Sequence, residues 1–334
     1  MAIIKDIIKT NDRLYRLSSK ISDLSEELNI PSFLVGGCVR DLLIDPNIDS
    51  VDIDIMVEGN AIDYAEKLAN ILGVKTIVPF PEFATARIPY DECEIEVASA
   101  RLESYDSKSR KPKSVDMTDV IGDLKRRDFT VNAIAISLSK DNFGELIDPF
   151  DGLQHLKSKI LKTPDNPDQT FSEDPLRMVR AAYFASKLSM DIDNECLESL
   201  KKNADRIKIV SQERITNELF KILNTPSPSV GLILLEENGL LEYIFPEIHI
   251  MYGLDQTSEW HHKDIFFHTM EVVDNAAKLS KKVDLRLAAL VHDIGKPKTR
   301  RLHKEKGYTF YGHDDLGSRM LEEVSKRMKF SNKT

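Results

Sequence analysis

The sequence predicts an α/β domain followed by two helical segments, and three observations support this fold class. Short apolar or alternating runs, typical of strands, are separated by helical patterns over roughly the first 160 residues. From about residue 165 the pattern becomes helix after helix, and another helical segment begins near residue 251. We therefore expect domains at 1–163, 164–250 and 251–334, within the roughly two or three that 334 residues allow.

Charge and composition exclude some classes of protein. The net charge of -9 argues weakly against extensive coating of nucleic acid but allows a local basic groove. The amino terminus alternates lysine and aspartate, unlike a signal peptide, and apolar runs are too short for a membrane span, so no membrane partner is expected. Cys38, Cys93 and Cys196 are scattered and odd in number, which favours the reducing cytoplasm. The sequence leaves the oligomeric state open.

The elements of the first domain follow in order. Residues 1–28 have helical spacing of apolar side chains, and "SFLVGG" predicts a buried strand followed by the short helix "CVRDLLI". "SVDIDIMVEG" alternates as a strand does, and "NAIDYAEKLANILG" predicts a helix that ends at Gly73. "KTIVPF", "FATARIPY" and "CEIEVASA" are further strand candidates. Residues 104–118 are polar and basic, which favours a mobile loop.

Two aspartates give the first domain its chemistry. Asp52 and Asp54 are two residues apart on a predicted strand, so their side chains should face the same way. Two such carboxylates repel each other unless a cation lies between them, and Mg²⁺ accepts carboxylate and phosphate oxygens. Glu96 offers a third acid on another strand, although a solvated strand face explains it equally well.

The stretch "LVGGCVRDLLI" supplies groups that suit a polyphosphate. Gly36 and Gly37 allow backbone N–H groups to approach a phosphate closely, and the following helix start favours anions. Arg40 can add a charged contact to a triphosphate. A lone glycine pair is usually a turn and a lone D-x-D is usually surface alternation. Together and in this order they indicate metal-assisted displacement at phosphorus.

Five ordered motifs resemble one family. "LVGGCVRDLLI", "VDIDIMVEG", "RRDFTVNAIAISL", "LIDPFDGLQHLKSKIL" and "SEDPLRMVRAAYF" resemble the motifs of class II tRNA nucleotidyltransferases, which include CCA-adding enzymes and bacterial poly(A) polymerases. The resemblance covers about residues 30–250. It implies a nucleotidyltransferase palm with a mixed five-stranded sheet, then all-α neck and body domains. It also implies template-independent addition of C and A to tRNA 3′ ends from CTP and ATP with Mg²⁺.

The resemblance assigns roles to matching residues. Asp52 and Asp54 would be the catalytic Mg²⁺ ligands. Glu96 is the third catalytic candidate, on the strand pattern described above rather than on the resemblance. The remaining candidates would bind the nucleotide: Gly36, Gly37 and Arg40 at the triphosphate, Arg127 at the nucleotide, Asp128 and Asn132 at the sugar side, Asp174 and Arg177 at the base edge, and Arg180 one helical turn further on.

The base-edge assignment also has a direct chemical basis. Asp174, Arg177 and Arg180 are at i, i+3 and i+6 on one predicted helix, so we expect them to present adjacent groups on one face. An aspartate accepts from an amino group and an arginine donates to a ring nitrogen, a pattern that cytosine and adenine share. A helix cap explains the acid but not the two arginines. Tyr183 stands where the family often has arginine, which removes one cation.

The helical body carries a basic stretch, "KKNADRIKIVSQER", which we expect to bind tRNA. Its candidate residues share a positive charge: Lys201, Lys202, Arg206, Lys208 and Arg214. A solvated helical face is the alternative interpretation.

A third segment contains a possible second divalent-metal site. His268 on one predicted helix and His292 with Asp293 on another can converge on a metal, and His313 follows. The pattern resembles the HD phosphohydrolase superfamily. That superfamily's final aspartate usually lies far downstream, so we expect this HD-type helical domain to be incomplete.

Several functions remain open at this stage. The shared motifs do not separate CCA addition from CC-only, A-only or poly(A) addition. A more distant alternative is an HD metal-dependent phosphohydrolase that acts on RNA ends. A catalytically silent RNA-binding protein is a third, which the intact Asp52 and Asp54 disfavour.

Overall fold

A computed structural model describes residues 8–48, 52–91, 93–106, 109–255 and 264–330. The chain divides into two compact units. The head unit comprises residues 1–106 and 111–166, and the helical unit comprises residues 107–110 and 167–334. The division of the helical part at residue 250 remains a prediction.

The head unit is built on a mixed sheet of seven strands, which confirms the predicted mixed sheet but not its count of five. The strands are β1 (Ser32–Val35), β2 (Ile53–Val57), β3 (Val78–Phe80), β4 (Thr85–Tyr90), β5 (Cys93–Ser99), β8 (Ala135–Ser137) and β9 (Leu146–Ile147). Their order in the sheet is β3-β4-β5-β2-β1-β8-β9. β2 and β5 run parallel, whereas the other neighbouring pairs are antiparallel. The edge strand β3 lies within the predicted strand "KTIVPF", whereas the other edge strand, β9, has only two residues and shows no alternating pattern.

Alternation along β2 separates apolar from charged side chains. Ile53, Ile55 and Val57 are buried in the larger apolar cluster of the head unit, with residues of the helices α1 (Asp12–Leu28) and α3 (Ala61–Leu72). Met56 packs in a second, smaller cluster. Because strand side chains alternate, Asp54 faces the same side as Met56. The helices therefore cover one sheet face and leave acidic chemistry on the other.

Local sequence signals fix the ends of these two helices. Asn11 accepts from the Leu14 N–H at the start of α1, and Asn60 accepts from the N–H groups of Ile62 and Asp63 at the start of α3. Gly73 ends α3 in the left-handed conformation, as predicted. The predicted helix over 1–28 is confirmed for Asp12–Leu28, and its first seven residues lie outside the described residues. The other head helices are α2 (Gly37–Ile44), α4 (Val120–Lys125) and α5 (Gly152–Ser158).

The mobile loop predicted at residues 104–118 is wrong. β6 (Arg101–Asp106) pairs with β7 (Ser109–Met117) as a separate two-stranded sheet. Backbone N–H and C=O groups pair across strands whatever the side-chain polarity, so the polar composition did not reveal this hairpin.

The helical unit follows, as the sequence predicts. Its elements are α6 (Pro167–Glu173), α7 (Leu176–Leu188), α8 (Asn194–Asn203), α9 (Gln212–Leu223), α10 (Pro228–Glu237), α11 (Leu241–Ile244), α12 (Pro246–His249), α13 (Ile265–Leu279), α14 (Val283–Val291), α15 (Lys296–Thr299) and α16 (His313–Met328), with the short strand β11 (Asp191–Ile192) and the hairpin β12 (Arg301–His303) and β13 (Gly307–Thr309). The short strand β10 (Ile160–Leu161) belongs to the head unit. The three cysteines form no disulfide. Among the described residues, no helix combines the length and the apolar character that crossing a membrane requires.

Candidate active site

Gly36 lies at the centre of the head site. Its φ of +72° is in the left-handed region, and it precedes the first turn of α2. A Cβ at this position would lie 3.0 Å from Arg127 Nη1 and 3.2 Å from Asp54 Oδ2. Both backbone conformation and space therefore favour glycine here. Asp54 and Arg127, far apart in sequence, approach the same point on the chain.

The carboxylates gather beside this glycine. Asp54 on β2 is the register partner of Glu96 on β5, and the exposed Asp52 comes just before β2. Burial, followed by the negative charge of Glu96, raises the pKa of Asp54 from 3.8 to about 6. Asp52 contributes to the rise, while Arg127 and Arg40 oppose it. A divalent cation would offset the same repulsion, so this donor set fits Mg²⁺.

Glu96 is also held from its other side. Arg87 on β4 is the register partner of Glu96, and its Nε donates to Glu96 Oε2 at 3.1 Å. Arg87 Nη1 lies 3.6 Å from Glu94 Oε2 as well. Arg87, Glu96 and Asp54 therefore form a charged row across three adjacent strands. Glu96 therefore has a charged neighbour on each side, Arg87 on β4 and Asp54 on β2.

A buried network fixes Arg40. Arg40 is only 3 % exposed, and its Nη1 donates to Asn132 Oδ1 at 2.5 Å. Asn132 in turn donates through Nδ2 to Asp128 Oδ1 at 2.9 Å, and Arg40 Nε donates to Asp41 Oδ1 at 2.8 Å. The structure thus brings together three of the predicted nucleotide-binding residues. The side-chain pairing restricts Arg40 to one orientation at the start of α2.

Asp123 was not found by sequence reasoning. It is 1 % exposed, and its Oδ2 accepts from Arg127 Nη2 at 2.9 Å while its Oδ1 accepts from Arg126 Nη2 at 2.6 Å. Burial would raise the pKa of Asp123, but the charges of Arg127 and Arg126 outweigh it and lower the pKa below 3.8. The spacing of an acid three and four residues before two arginines was the available signal. Asp123 orients Arg127 beside Gly36.

The predicted base-edge residues differ in one respect from expectation. Asp174 lies before α7 rather than in it, and its Oδ1 accepts from the Leu176 N–H at 3.3 Å. Pro175 interrupts the helical backbone between α6 and α7, so one face of one helix was the wrong description. Asp174 Oδ2 also lies 3.4 Å from Arg214 Nη2.

The two arginines of this motif do lie on α7. Arg177 is 9 % exposed and its Nη1 donates to the Thr170 carbonyl at 3.4 Å. Arg180 Nη1 lies 3.8 Å from Glu218 Oε1, and its guanidinium lies 5.1 Å from the Phe184 ring centroid. Tyr183 stacks at a tilt on the ring of Phe184.

The predicted RNA-binding cations have partners within the helical unit. Lys202 pairs with Asp168, and Arg206 Nη2 donates to the Ser172 carbonyl at 2.8 Å. Lys208 Nζ lies 4.2 Å from the Tyr243 ring centroid. Lys201 is exposed. Part of this positive charge is therefore already compensated inside the protein, and the RNA-binding role stays a prediction.

A second acidic and histidine cluster lies in the helical unit. One possible ligand atom from each of His268, His292 and Asp293 lies within 4.8 Å of the others. Burial would raise the pKa of Asp293, but hydrogen bonds from His292 and Lys296 outweigh it and hold that pKa at about 2. Lys296 Nζ lies 2.7 Å from Asp293 Oδ2. The cluster thus contains an ionised, 2 % exposed carboxylate that is already paired with one cation.

Backbone carbonyls orient two histidines of this cluster. His292 Nδ1 lies 2.8 Å from the Ala289 oxygen, and His313 Nδ1 lies 2.9 Å from the Phe310 oxygen. A carbonyl only accepts, so each Nδ1 donates and each Nε2 is directed to Asp293, at 2.9 and 3.6 Å. Metal-binding histidines are commonly oriented in this way. His313 therefore also faces Asp293, at a greater distance than His292 does.

Family models match three parts of the chain. The "Poly A polymerase head domain" matches residues 32–162, the "Probable RNA and SrmB-binding site of polymerase A" matches 189–251, and the "HD domain" matches 265–333. Their order agrees with the order of the predicted parts.

Relatives and solved structures resemble the chain over most of its length. It is 33 % identical over 310 residues to the "Multifunctional CCA protein" of Psychromonas ingrahamii, covering 90 % of this chain and 71 % of the relative. The structure superposes on that of a CCA-adding enzyme in its apo form II with a TM-score of 0.73 and 27 % identity, covering 98 % and 71 % of the two chains. The structure also superposes on that of a tRNA nucleotidyltransferase "complexed with a primer tRNA and an incoming ATP analog". The TM-score is 0.66 and the sequence identity 30 %, covering 93 % of this chain and 84 % of the other.

The raised pKa of Asp54 predicts a pH-dependent cost to the metal-free fold. Above pH 6 this carboxyl is ionised in both folded and unfolded chains, and the folded chain bears the repulsion. We expect Asp54→Asn to raise the free energy of unfolding in EDTA at pH 8 by about 1–2 kcal/mol, because solvent screens part of the roughly 3 kcal/mol that such a shift represents. The gain should disappear as pH falls from 6 towards 4, where wild-type Asp54 takes up its proton.

Urea unfolding of both proteins between pH 4 and 8 measures this difference. Glu66→Gln, on an exposed position of α3, removes the same charge away from the cluster and serves as the control. Equal stability of Asp54→Asn and wild type at pH 8 would contradict the electrostatic description of the site.

Proposed function

This chain belongs to the family of CCA-adding tRNA nucleotidyltransferases, and from that membership we propose that it adds C and A to tRNA 3′ ends, using CTP, ATP and Mg²⁺. The observation that carries the proposal is the convergence on Gly36 of Asp54 and Arg127, at 3.2 and 3.0 Å from a Cβ built there. A phosphate approached by a bare backbone, a cation and a carboxylate-held metal is what nucleotidyl transfer requires.

The residues divide this chemistry among themselves. Asp52 and Asp54 would hold Mg²⁺, which supplies positive charge to the reacting phosphate oxygens. Glu96, paired with Arg87, is the third carboxylate of the site. Gly36 and Gly37 bring backbone N–H groups to the triphosphate at the start of α2.

The two arginines of the head site serve the leaving group. The tRNA 3′-hydroxyl attacks the α-phosphorus of the nucleotide and pyrophosphate leaves. Arg40 and Arg127 compensate the charge that accumulates on pyrophosphate. Each is fixed in advance, by Asn132 and Asp123 respectively, so little side-chain entropy is lost when nucleotide binds.

Replacing Asp52 tests the reaction directly. We expect Asp52→Ala to reduce nucleotide incorporation at least 1000-fold, on the order of the several kcal/mol that a metal ligand supplies, while tRNA affinity changes little. The assay uses tRNA transcripts ending before CCA, after C and after CC, each with one of the four nucleoside triphosphates. The wild-type pattern separates CCA addition from CC-only, A-only and poly(A) addition.

Glu66→Ala is the matched control, because it removes one exposed carboxylate of the head unit on the helix-covered side. Turnover by purified Asp52→Ala close to the wild-type rate would rule out the proposed metal ligand.

For base selection we propose Asp174 and Arg177. Asp174 would accept from the amino group of cytosine or adenine, and Arg177 would donate to the neighbouring ring nitrogen. The hydrogen bond from the Leu176 N–H and the ion pair with Arg214 hold the Asp174 carboxylate in one orientation. The same contacts also support the alternative in which Asp174 only stabilises the start of α7.

Asp174→Ala distinguishes these interpretations. If Asp174 selects the base, we expect UTP or GTP misincorporation to rise relative to CTP and ATP, by the ~1–3 kcal/mol that a base-edge contact contributes. Steady-state kcat/KM for the four triphosphates is compared with the melting temperature of the same protein. A lower melting temperature with equal losses for all four nucleotides would leave only the helix-start role. Arg214→Ala removes the ion pair and keeps the Asp174 carboxylate. Because Arg214 is also a predicted tRNA contact, this control is read from the ratios of kcat/KM among the four triphosphates, which a general loss of tRNA affinity leaves unchanged.

The histidine cluster supports a second candidate function, metal-dependent hydrolysis of a phosphoester. His268, His292, Asp293 and His313 would hold a divalent metal, which activates water for attack on phosphorus. A cavity of about 400 Å³ adjoins them, lined by Lys296 and His313 together with Tyr308, Phe310 and other residues of 308–314. A lysine and a histidine of this cluster in the lining of one cavity suit a phosphate group.

Asp293→Asn should remove this metal site without changing side-chain volume. We expect loss of one equivalent of Mn²⁺ retained after dialysis, and loss of p-nitrophenyl phosphate hydrolysis. Asp52→Ala should retain both, since its change lies in the head unit. Unchanged metal content and hydrolysis in Asp293→Asn would exclude a hydrolytic centre at this cluster.

A further inference from the structure

The hairpin of β12 and β13, residues 301–309, is a strongly basic element of an acidic protein. Six of the eleven residues from 296 to 306 are Lys or Arg and one is Glu, whereas the whole chain carries -9. Arg301, Lys304 and Lys306 are all exposed. Within the described part of the chain, none of these three forms an ion pair with a carboxylate. Their charge is therefore available to a ligand.

Three contacts fix the base of this basic hairpin. The Arg300 guanidinium lies 3.6 Å from the Tyr308 ring centroid, and its Nε donates to the Asp255 carbonyl at 3.0 Å. Lys296 Nζ lies 5.4 Å from the Phe310 ring centroid. Cation–π contacts of this kind hold aromatic rings in place. The exposed cations are thus carried on a defined scaffold.

Aromatic surface accompanies the charge. Tyr311 is 75 % exposed, although tyrosine normally buries much of its ring. It lines the 400 Å³ cavity with Tyr308, Phe310 and Asp314, and this cavity reaches Lys296 and His313 of the histidine cluster. Exposed rings between cations are how proteins bind unpaired nucleotides, by stacking bases while phosphates meet lysine and arginine.

We propose that the basic hairpin is a single-stranded RNA-binding surface, separate from residues 201–214, that directs an RNA end towards the His268–His292–Asp293 cluster. Arg301, Lys304 and Lys306 contact successive phosphates, and a base stacks on Tyr311. The choice of RNA as the polyanion rests on the proposed function. Two acids lie near this surface, Glu305 in the tip of the hairpin and Asp314 in the lining of the cavity. Each repels a phosphate that comes close to it.

An anionic membrane is the other polyanion to consider, and the aromatic cavity favours RNA over it. A membrane surface needs cations and a flat apolar patch. Here Leu302, 75 % exposed, is the large aliphatic side chain of the tip. The tyrosine and phenylalanine rings share an open pocket with Thr309, His313 and Asp314, so they do not form a continuous apolar patch. Exposed rings between polar and charged groups suit the stacking of a base.

The test measures binding of a fluorescein-labelled 12-nucleotide RNA of mixed sequence by fluorescence anisotropy, at several salt concentrations. All variants are made in the Asp52→Ala background and without nucleoside triphosphates, so the result is read independently of nucleotidyl transfer. We expect Arg301→Glu/Lys304→Glu/Lys306→Glu to lower affinity at least about tenfold. The slope of log K against log[salt] should fall by about two, since each single-strand phosphate contact contributes roughly 0.7.

Two further variants separate the contributions. Tyr311→Ala should weaken binding about tenfold with no change in salt slope, because stacking releases no counterions. Arg301→Gln/Lys304→Gln/Lys306→Gln repeats the charge loss more gently, and circular dichroism confirms that each variant is folded.

Lys278→Glu/Lys281→Glu/Lys282→Glu is the matched control, since it makes the same change in net charge at exposed positions at the end of α13 and beyond. It should retain wild-type affinity within twofold. Equal RNA affinity of the hairpin variants and wild type, or an equal loss in the control, overturns the proposal. So does hairpin-dependent binding to phosphatidylglycerol vesicles with RNA binding unchanged.

Discussion

The head unit depends on neutralising the charge that strand alternation collects on one face of its sheet. Apolar residues of β2, β4 and β5 turn towards the helices, so the intervening Asp54, Arg87 and Glu96 must all point the other way. Burial of Asp54 beside Glu96 makes that arrangement unfavourable until a cation is present. Strand alternation therefore has two effects: it places the apolar core on one face of the sheet, and it collects on the other face carboxylates that a metal ion would neutralise.

The arginines neutralise only part of the negative charge on this sheet face, and the remaining negative charge can bind a metal ion. Arg87 engages Glu96, while Arg127 and Arg40 lower the pKa of Asp54 without returning it to its ordinary value. Each arginine has its own acidic or amide partner, so none is free to collapse onto Asp54. The site remains electrostatically unsatisfied in a geometry that a metal–nucleotide complex can complete.

Periodicity in the sequence predicted much of the fold, because apolar alternation and helix caps are local signals. The strands around Asp54 and the helix ending at Gly73 are of this kind. Residues 104–118 were misread because hairpin pairing depends on backbone partners that polar composition does not report. Of the two short edge strands, β3 lies within the predicted strand "KTIVPF", whereas β9 has two residues, too few to show an alternating pattern.

The candidate sites likewise combine features that the sequence predicts with features that only the folded chain shows. Motif spacing and family resemblance nominated Gly36, Asp54 and Arg127, whereas their meeting point required the folded chain. Pro175 held the signal that Asp174 stands outside α7, but spacing alone suggested one continuous face. The orientation of His313 towards Asp293 depends on a carbonyl of residue 310, which no side-chain pattern encodes.

The double pairing of Asp123 restricts how this sequence can evolve. One buried carboxylate serves Arg126 and Arg127 together, and its Oδ1 also accepts from the Arg101 N–H at 3.4 Å. Loss of the acid would leave two cations uncompensated at once, while loss of either arginine would still leave a buried charge with one partner. Few single substitutions among these three residues therefore leave the stability of the fold unchanged. We therefore expect related chains to keep or replace Asp123, Arg126 and Arg127 together, and to keep the acid wherever either arginine is kept.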